Sequence, residues 1–154
     1  GYETMSQCYA DPQVRRWVEE AFFQSEAALL TKWKFEPSEY LRWRTMMLNK
    51  MDQPSEDRTE RVLKDMHRKL RREDRLVGPV LLCLQNGYPC SRLVQAICLA
   101  LERLGSESPD FAQLLRRDPA AAAQDVCGLE KEDRAQQMLV QQIVRWLKED
   151  RNSC

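Results

Sequence analysis

The spacing of apolar side chains predicts helices along most of the chain. Residues 11–34 place one apolar group on a single face of a helix at about 100° per residue, namely Val14, Trp17, Val18, Ala21, Phe22, Ala28, Leu29 and Trp33. A smaller apolar group lies roughly opposite and consists of Phe23, Ala27 and Leu30. A helix that is apolar on two sides needs neighbours on both. We therefore predict that this segment lies near the middle of a helical bundle.

Proline and polar residues mark the next two predicted helices. Pro37 begins a second helix, and the short joint before it predicts an antiparallel hairpin with the first. The polar stretch 52–57 predicts a loop, and a third helix follows and continues up to Gly78. This third helix has a narrow apolar side, so we expect it to lie on the surface.

The remaining sequence completes an all-α prediction. Residues 91–104 are apolar or small almost all round, which predicts a second buried helix closed by Gly105, and the last helix is predicted at about 131–150. No segment has the alternating pattern of a strand. The fold class is therefore all-α, a single-domain helical bundle of roughly six to eight helices. The predicted domain organisation is an N-terminal arm at 1–10, the bundle at 11–151 and a C-terminal tail at 152–154.

Composition limits the location and the partners. The chain has 154 residues, and its 24 basic and 24 acidic residues cancel, so no long-range field favours nucleic acid or a membrane. Six cysteines at loose spacings predict reduced thiols, and no signal peptide is evident, which together predict a cytoplasmic or nuclear location. Gly1 in place of an initiator Met indicates a domain excised from a larger protein.

The inventory of reactive residues argues against catalysis. His67 is the single histidine, and the sequence has no CxxC pair and no GxGxxG, GxxxxGK[ST] or HExxH motif. A histidine-based triad or a multi-histidine metal site is thereby excluded. We predict a protein that is not an enzyme, with no catalytic residue, no metal and no cofactor. Catalysis by a cysteine with a non-histidine base, or by a pair of carboxylates, is the third hypothesis after the two binding functions given below.

Six cations form a first candidate surface, which we call the basic ridge. They fall within an arc of about 100° on the predicted third helix and are Arg61, Lys64, Arg68, Arg71, Arg72 and Arg75. Such a ridge attracts phosphates or an acidic protein segment. The alternative is a solvated face that is partly neutralised by neighbouring acids at helical spacing.

Aromatic and cationic residues at the first hairpin form a second candidate surface. It combines the two motifs KWKF and RWR with the second apolar group of the first helix, and its residues are Phe23, Leu30, Trp33, Phe35, Arg42, Trp43 and Arg44. Stacking and charge together suit the binding of an acidic or aromatic peptide. The alternative is that Phe23, Leu30 and Trp33 belong to the core.

Residues 84–105 carry one resemblance to a known family. Gly87 and Tyr88 precede a helix that contains Ala100 and Leu101, and this arrangement is similar to the start of a ubiquitin-associated domain. The interval here is about one helical turn longer. The resemblance implies binding within the ubiquitin pathway as a minor alternative.

The prediction for function is a scaffold or adaptor module of a larger regulatory protein. Its partner would be a peptide or an amphipathic helix of another protein, with the basic ridge supplying steering. Nucleic-acid binding through the ridge is the second hypothesis, no membrane is involved, and homodimerisation is left open.

Overall fold

Helices make up the computed structural model, which describes residues 2–34 and 36–149, with the backbone alone at Ala27 and Trp33. Within these ranges there are ten helices: α1 Met5–Ala10, α2 Pro12–Trp33, α3 Pro37–Met51, α4 Thr59–Leu63, α5 Met66–Lys69, α6 Val77–Gln85, α7 Ser91–Glu107, α8 Pro109–Arg117, α9 Pro119–Cys127 and α10 Arg134–Glu149. The described residues include no β-strand, and a single isolated bridge joins Thr4 to Arg58. The all-α class is confirmed, and the number of helices is higher than predicted.

Side-chain caps explain where several helices begin. Asp11 accepts hydrogen bonds from the backbone N–H groups of Gln13 and Val14, and Pro12 occupies the first turn of α2, where a missing N–H costs nothing. Ser108 caps α8 and Asp118 caps α9 in the same way, each followed by proline. The start of each of these three helices is therefore determined by its local sequence.

Contacts divide the chain into two compact units, the first ending at Lys64 and the second beginning at Asp65. In unit 1, α2 packs against α1 and α3. Arg15 pairs with Asp52, and Arg44 pairs with Glu26 at 2.5 Å, so α2 and α3 run antiparallel as predicted.

The segment predicted as an N-terminal arm contains α1 and is bonded to the loop before α4. Met5 N–H donates to Asp57 O at 2.9 Å, and Thr59 N–H donates to Glu3 O at 3.1 Å. A capping box at Thr4 stabilises α1, although a helix of this length leaves little periodicity to detect. The predicted C-terminal tail lies outside the described residues.

The central position predicted for α2 is wrong. Of its described side chains only Ser25 and Ala28 are buried, and Phe23 is 69% exposed. Within unit 1, α1 and α3 pack against α2 and cover one of its faces. A unit of this size has no additional helices to cover the opposite face. The second apolar group therefore does not indicate enclosure on both sides.

Unit 2 contains the main hydrophobic core. The prediction for α7 is confirmed, because it buries Val94, Ile97, Cys98, Ala100, Leu101 and Leu104. These side chains pack in a unit where α7 contacts α6, α8 and α10. Leu99 is the exception at 48% exposure.

The predicted third helix is not continuous. α4 ends at Leu63, Lys64 is extended with ψ 154°, and Asp65 is left-handed with φ 58°, after which α5 covers only one turn. Gly78 lies inside α6, and Gly105 lies inside α7, so neither glycine ends a helix as predicted. The described helices include none that is long and apolar enough to cross a membrane.

Candidate functional site

Four arginines of the basic ridge lie at the end of α5 and in the turn that leads from it to α6, and we call residues 68–75 the arginine turn. Arg71 N–H donates to Arg68 O at 3.0 Å, and Asp74 N–H donates to Arg71 O at 2.9 Å, so the backbone coils tightly without forming a helix. Leu70 within the turn and Val77 just after it are both fully buried. These two side chains anchor the turn and leave its charged residues at the surface.

Asp74 holds two of these arginines in place. Its carboxylate accepts from Arg68 Nη1 at 3.1 Å and from Arg75 Nε at 3.1 Å. It also accepts from the backbone N–H of Arg75 at 2.7 Å, and this hydrogen bond is the main reason that the pKa of Asp74 is lowered. Arg68 and Arg75 are therefore oriented by a single ionised acid.

Arg72 is held by a residue distant in sequence. Its guanidinium pairs with Glu130 and lies 3.9 Å from Glu73, and the contact with Glu130 is the main cause that raises the pKa of Arg72. Glu130 is itself positioned, because its backbone N–H donates to Oε1 of the buried Gln136 at 2.7 Å. A chain of contacts thus fixes the direction of Arg72.

Arg71 differs from the other three arginines. Within the described part of the chain it forms no ion pair, and its side chain is exposed. Its Nη1 lies near the C-terminal end of α9, since a Cβ added at Gly128 would be 3.9 Å away. Carbonyl groups at a helix end attract a cation weakly, which leaves this guanidinium able to bind an added anion.

The remaining two members of the basic ridge lie in unit 1. Arg61 pairs with Asp57 at 2.8 Å, and Lys64 is exposed. Because the backbone leaves the helical conformation at Lys64 and Asp65, the six cations do not share one helix face as predicted. Their role as an anion-binding set stays a prediction.

The hairpin surface is only partly assembled as predicted. Trp43, 40% exposed, contacts the rings of Phe22 at 6.0 Å and Tyr40 at 5.6 Å. Phe23 and Arg44 line one groove of about 480 Å³ on unit 1.

The other residues predicted for the hairpin surface are placed as follows. Leu30 is half-buried and Arg42 is exposed. Phe35 and the side chain of Trp33 lie outside the described residues.

Acidic and thiol side chains do not form a metal centre in the described ranges, where no three His, Cys, Asp or Glu residues come together suitably. His67 is exposed on α5. The buried thiols Cys83, Cys90, Cys98 and Cys127 form no disulfide bond among the described residues.

Comparison with known proteins assigns this all-helical chain to a class of oxidoreductase domains. Residues 1–150 match the family described as the mannitol dehydrogenase C-terminal domain, and the chain belongs to that family. It is similar to mannitol-1-phosphate 5-dehydrogenase of Bacillus licheniformis, with 30% identity over 137 residues. The match covers 86% of this chain and 36% of that protein, so the chain spans about a third of the length of the relative.

The family overturns the functional predictions made from sequence. The assignment as a scaffold or adaptor was wrong, as were the prediction that the protein is not an enzyme and the prediction of a peptide or helix partner. The alternatives of nucleic-acid binding and ubiquitin-pathway binding fall with them. In the structure, Gly87 and Tyr88 belong to the connection between α6 and α7 of unit 2.

Sequence reasoning also missed the residues that orient the arginines. Asp74 could have been suspected, because it lies directly beside Arg75. Glu130 and Gln136 gave no signal, since only the folded backbone brings them to the arginine turn.

Proposed function

We propose that the chain is the helical domain of a dehydrogenase that acts on a phosphorylated sugar alcohol such as mannitol 1-phosphate. The observation that carries the proposal is the family match over residues 1–150. The name of the Bacillus licheniformis relative supplies the substrate class, because that protein is a mannitol-1-phosphate 5-dehydrogenase. The domain's part in the reaction would be to hold the phosphate end of the substrate.

The arginine turn has the chemistry to bind the phosphate group of such a substrate. Guanidinium groups bind phosphate oxygens through paired, charge-assisted hydrogen bonds. In the arginine turn, Asp74 and Glu130 already fix three arginines, so a bound phosphate would not bear the full entropy cost of ordering them. Arg71 is the direct ligand in this proposal, with Arg68, Arg72 and Arg75 as the surrounding positive set.

A dehydrogenase also needs a hydride acceptor, which in this class would be a nicotinamide dinucleotide. The described residues do not fit that cofactor. They contain no parallel strands, and the sequence has no GxGxxG turn to receive a pyrophosphate. We therefore assign cofactor binding to polypeptide outside these residues, and we derive no hydride-transfer step from this domain.

The proposed function also bears on where in the cell the protein acts. The relative is a bacterial dehydrogenase, which supports a cytoplasmic protein, and nothing supports the nuclear alternative predicted from the cysteines.

Calorimetric titration of the chain with mannitol 1-phosphate and with mannitol tests the proposal. We expect the phosphorylated compound to bind at least about tenfold more tightly, because hydrogen bonds to charged groups contribute about 1.5–3 kcal/mol. Binding should weaken as salt increases, since screening reduces the attraction. Equal affinity for the two compounds would contradict the proposal.

Two matched substitutions locate the phosphate. Arg71→Gln should weaken binding of mannitol 1-phosphate about tenfold or more. Arg116→Gln removes an equally exposed arginine from α8 and should leave affinity unchanged. If both variants bind as the unchanged chain does, the arginine turn is not the phosphate site.

A further inference from the structure

Gln136 of α10 is a buried polar residue in unit 2. Its side chain is 6% exposed, and among the described side chains Ser25 is the other residue that is both polar and buried. A buried amide lowers the stability of a fold unless it forms hydrogen bonds. The hydrogen-bond partner of Gln136 therefore indicates what the residue contributes.

The position of Gln136 at the start of α10 predicts a partner within the helix cap. Asp133 Oδ1 accepts from the backbone N–H of Gln136 at 2.9 Å, and its carbonyl accepts from that of Gln137 at 2.9 Å. Asp133 thus caps the helix, and Gln136 is the third helical residue. A glutamine at this position normally accepts from the backbone N–H of the capping residue. Gln7 of α1 does so, since Thr4 N–H donates to its Oε1 at 3.3 Å.

The side chain of Gln136 instead reaches past Asp133 to the loop before α10. Its Oε1 accepts from the backbone N–H of Glu130 at 2.7 Å. Leu129, next to Glu130, is buried, and its own N–H donates to Gln124 O at 3.0 Å. The backbone at Glu130 is therefore held on both sides, and the Glu130 side chain leaves it in a fixed direction.

The loop at 128–130 lies against the arginine turn. The Glu130 carboxylate pairs with Arg72, and Arg71 Nη1 would be 3.9 Å from a Cβ added at Gly128. A guanidinium has five N–H donors, so Arg72 can keep its pair with Glu130 and still donate to a phosphate. Because an arginine side chain has many rotamers, the direction of Arg72 depends on Glu130.

We propose that Gln136 is a positioning residue of the phosphate site, because it holds Glu130 in the direction that orients Arg72. The inference rests on the proposed function of the arginine turn. Gln136 is buried, so it acts through the loop and not by contact with the substrate. Without its acceptor oxygen, Arg72 would have to be ordered when the phosphate binds, which lowers affinity. Mannitol has no phosphate for Arg72 to bind, so its affinity does not depend on Gln136.

Calorimetric titration of the chain with mannitol 1-phosphate and with mannitol tests the proposal. Gln136→Met keeps an unbranched side chain that suits a helix and removes the acceptor oxygen. Its affinity for mannitol 1-phosphate should fall about three- to tenfold, and its affinity for mannitol should not change. Gln136→Glu keeps an acceptor at a helix start, where a negative charge is favoured, and should bind mannitol 1-phosphate within about twofold of the unchanged chain. Equal losses in Gln136→Met and Gln136→Glu would overturn the proposal.

Gln137→Met is the matched control. Gln137 is the next residue of α10, and its Nε2 donates to the carbonyl of Lys131 in the same loop. The variant removes a comparable contact with the loop but leaves the hydrogen bond between Gln136 and Glu130. Its affinity for mannitol 1-phosphate should not change. A loss as large as that in Gln136→Met would overturn the proposal, because it would show a general effect of loosening the loop.

A double-mutant cycle tests whether Gln136 acts through Arg72. Arg72→Gln should weaken binding of mannitol 1-phosphate about tenfold, and adding Gln136→Met to that variant should cause no further loss. Additive losses would overturn the proposal. An Arg72→Gln variant that binds as the unchanged chain does would also overturn it, even if circular dichroism shows that Gln136→Met does not fold.

The outcomes distinguish this proposal from the proposed function. If the unchanged chain prefers mannitol 1-phosphate and Arg71→Gln removes the preference, a Gln136→Met variant of unchanged affinity overturns only the role of Gln136. If the unchanged chain binds the two compounds equally, the proposed function fails, and the role of Gln136 fails with it.

Discussion

Burial of thiols sets the response of unit 2 to alkaline pH. Burial raises the pKa of Cys127 to about 12 and those of Cys83 and Cys90 to about 11. In an unfolded chain a thiol has a pKa of about 8.5. Above that pH the thiols of the unfolded chain lose their protons, whereas the buried thiols of the folded chain keep theirs. The free energy of unfolding is therefore unaffected by these thiols below about pH 8.5 and falls as the pH rises toward the pKa values of the folded chain.

Urea unfolding at pH 7.5 and pH 10 measures this loss. For Cys127 alone we expect the free energy of unfolding to drop by about 2 kcal/mol between these values. Cys127→Ala is the control, because it lacks the thiol and should lose less stability over the same interval. An equal loss in the variant and the unchanged chain would show that this thiol does not contribute.

The sequence predicted which residues carry the charge of the candidate site, but not how they are oriented. The cations of the arginine turn stand out in the sequence, and Asp11 identifies the start of α2 by its capping chemistry. The geometry was not predictable, because Arg72 takes its direction from Glu130, which is 58 residues away. Charge patterns predict which ions a surface attracts, whereas the orientation of each group depends on tertiary contacts.

Two glycines in unit 2 should respond in opposite directions to substitution by alanine. Gly105 lies within α7, where an added Cβ would meet Ala112 at 3.6 Å, an ordinary contact. Gly105→Ala should therefore raise the free energy of unfolding by about 0.5–1 kcal/mol, because alanine favours helix. Gly128 caps α9 with φ +64°, so Gly128→Ala should lower it by about 1 kcal/mol.

Thermal unfolding followed by circular dichroism distinguishes the two glycines. The melting temperature should rise for Gly105→Ala and fall for Gly128→Ala. A fall in both would mean that Gly105 ends the helix in solution, as its sequence position had predicted. A rise in both would contradict the left-handed cap at Gly128.

Long helices with a clear period were predictable as elements. α2, α3, α7 and α10 form within a few residues of the predicted ranges, because capping residues and prolines mark their ends. The predicted third helix, which was expected to continue up to Gly78, is broken at Lys64 and Asp65, where no glycine or proline signals the break. A left-handed aspartate is favoured there only by its surroundings, which local sequence does not contain.

At the scale of the whole molecule, the enzyme class could not be deduced from an inventory of side chains. This inventory shows a single histidine and no nucleotide-binding motif. It does not exclude a domain that supplies one part of a site. The match covers only 36% of the related dehydrogenase, so the reacting groups of that protein need not lie in the shared helices.

The unequal distribution of buried residues predicts unequal protection from hydrogen exchange. The largest fully buried side chains, among them Ile97, Leu101, Leu139 and Ile143, all belong to unit 2. Unit 1 buries only Ser25, Ala28 and Tyr40 among its described residues. Amides of α2 and α3 should therefore exchange at least tenfold faster than those of α7 and α10, because less burial opposes their opening.

Mass spectrometry of deuterated peptides measures the difference, and one substitution shows its origin. Leu139→Ala removes a fully buried side chain of α10 and should cost about 3–5 kcal/mol. Exchange in α7 and α10 should then approach the rate of α2 and α3 in the unchanged chain. Equal protection of all four helices before the substitution would mean that the two units open together, and that the sparse burial in unit 1 does not govern its stability.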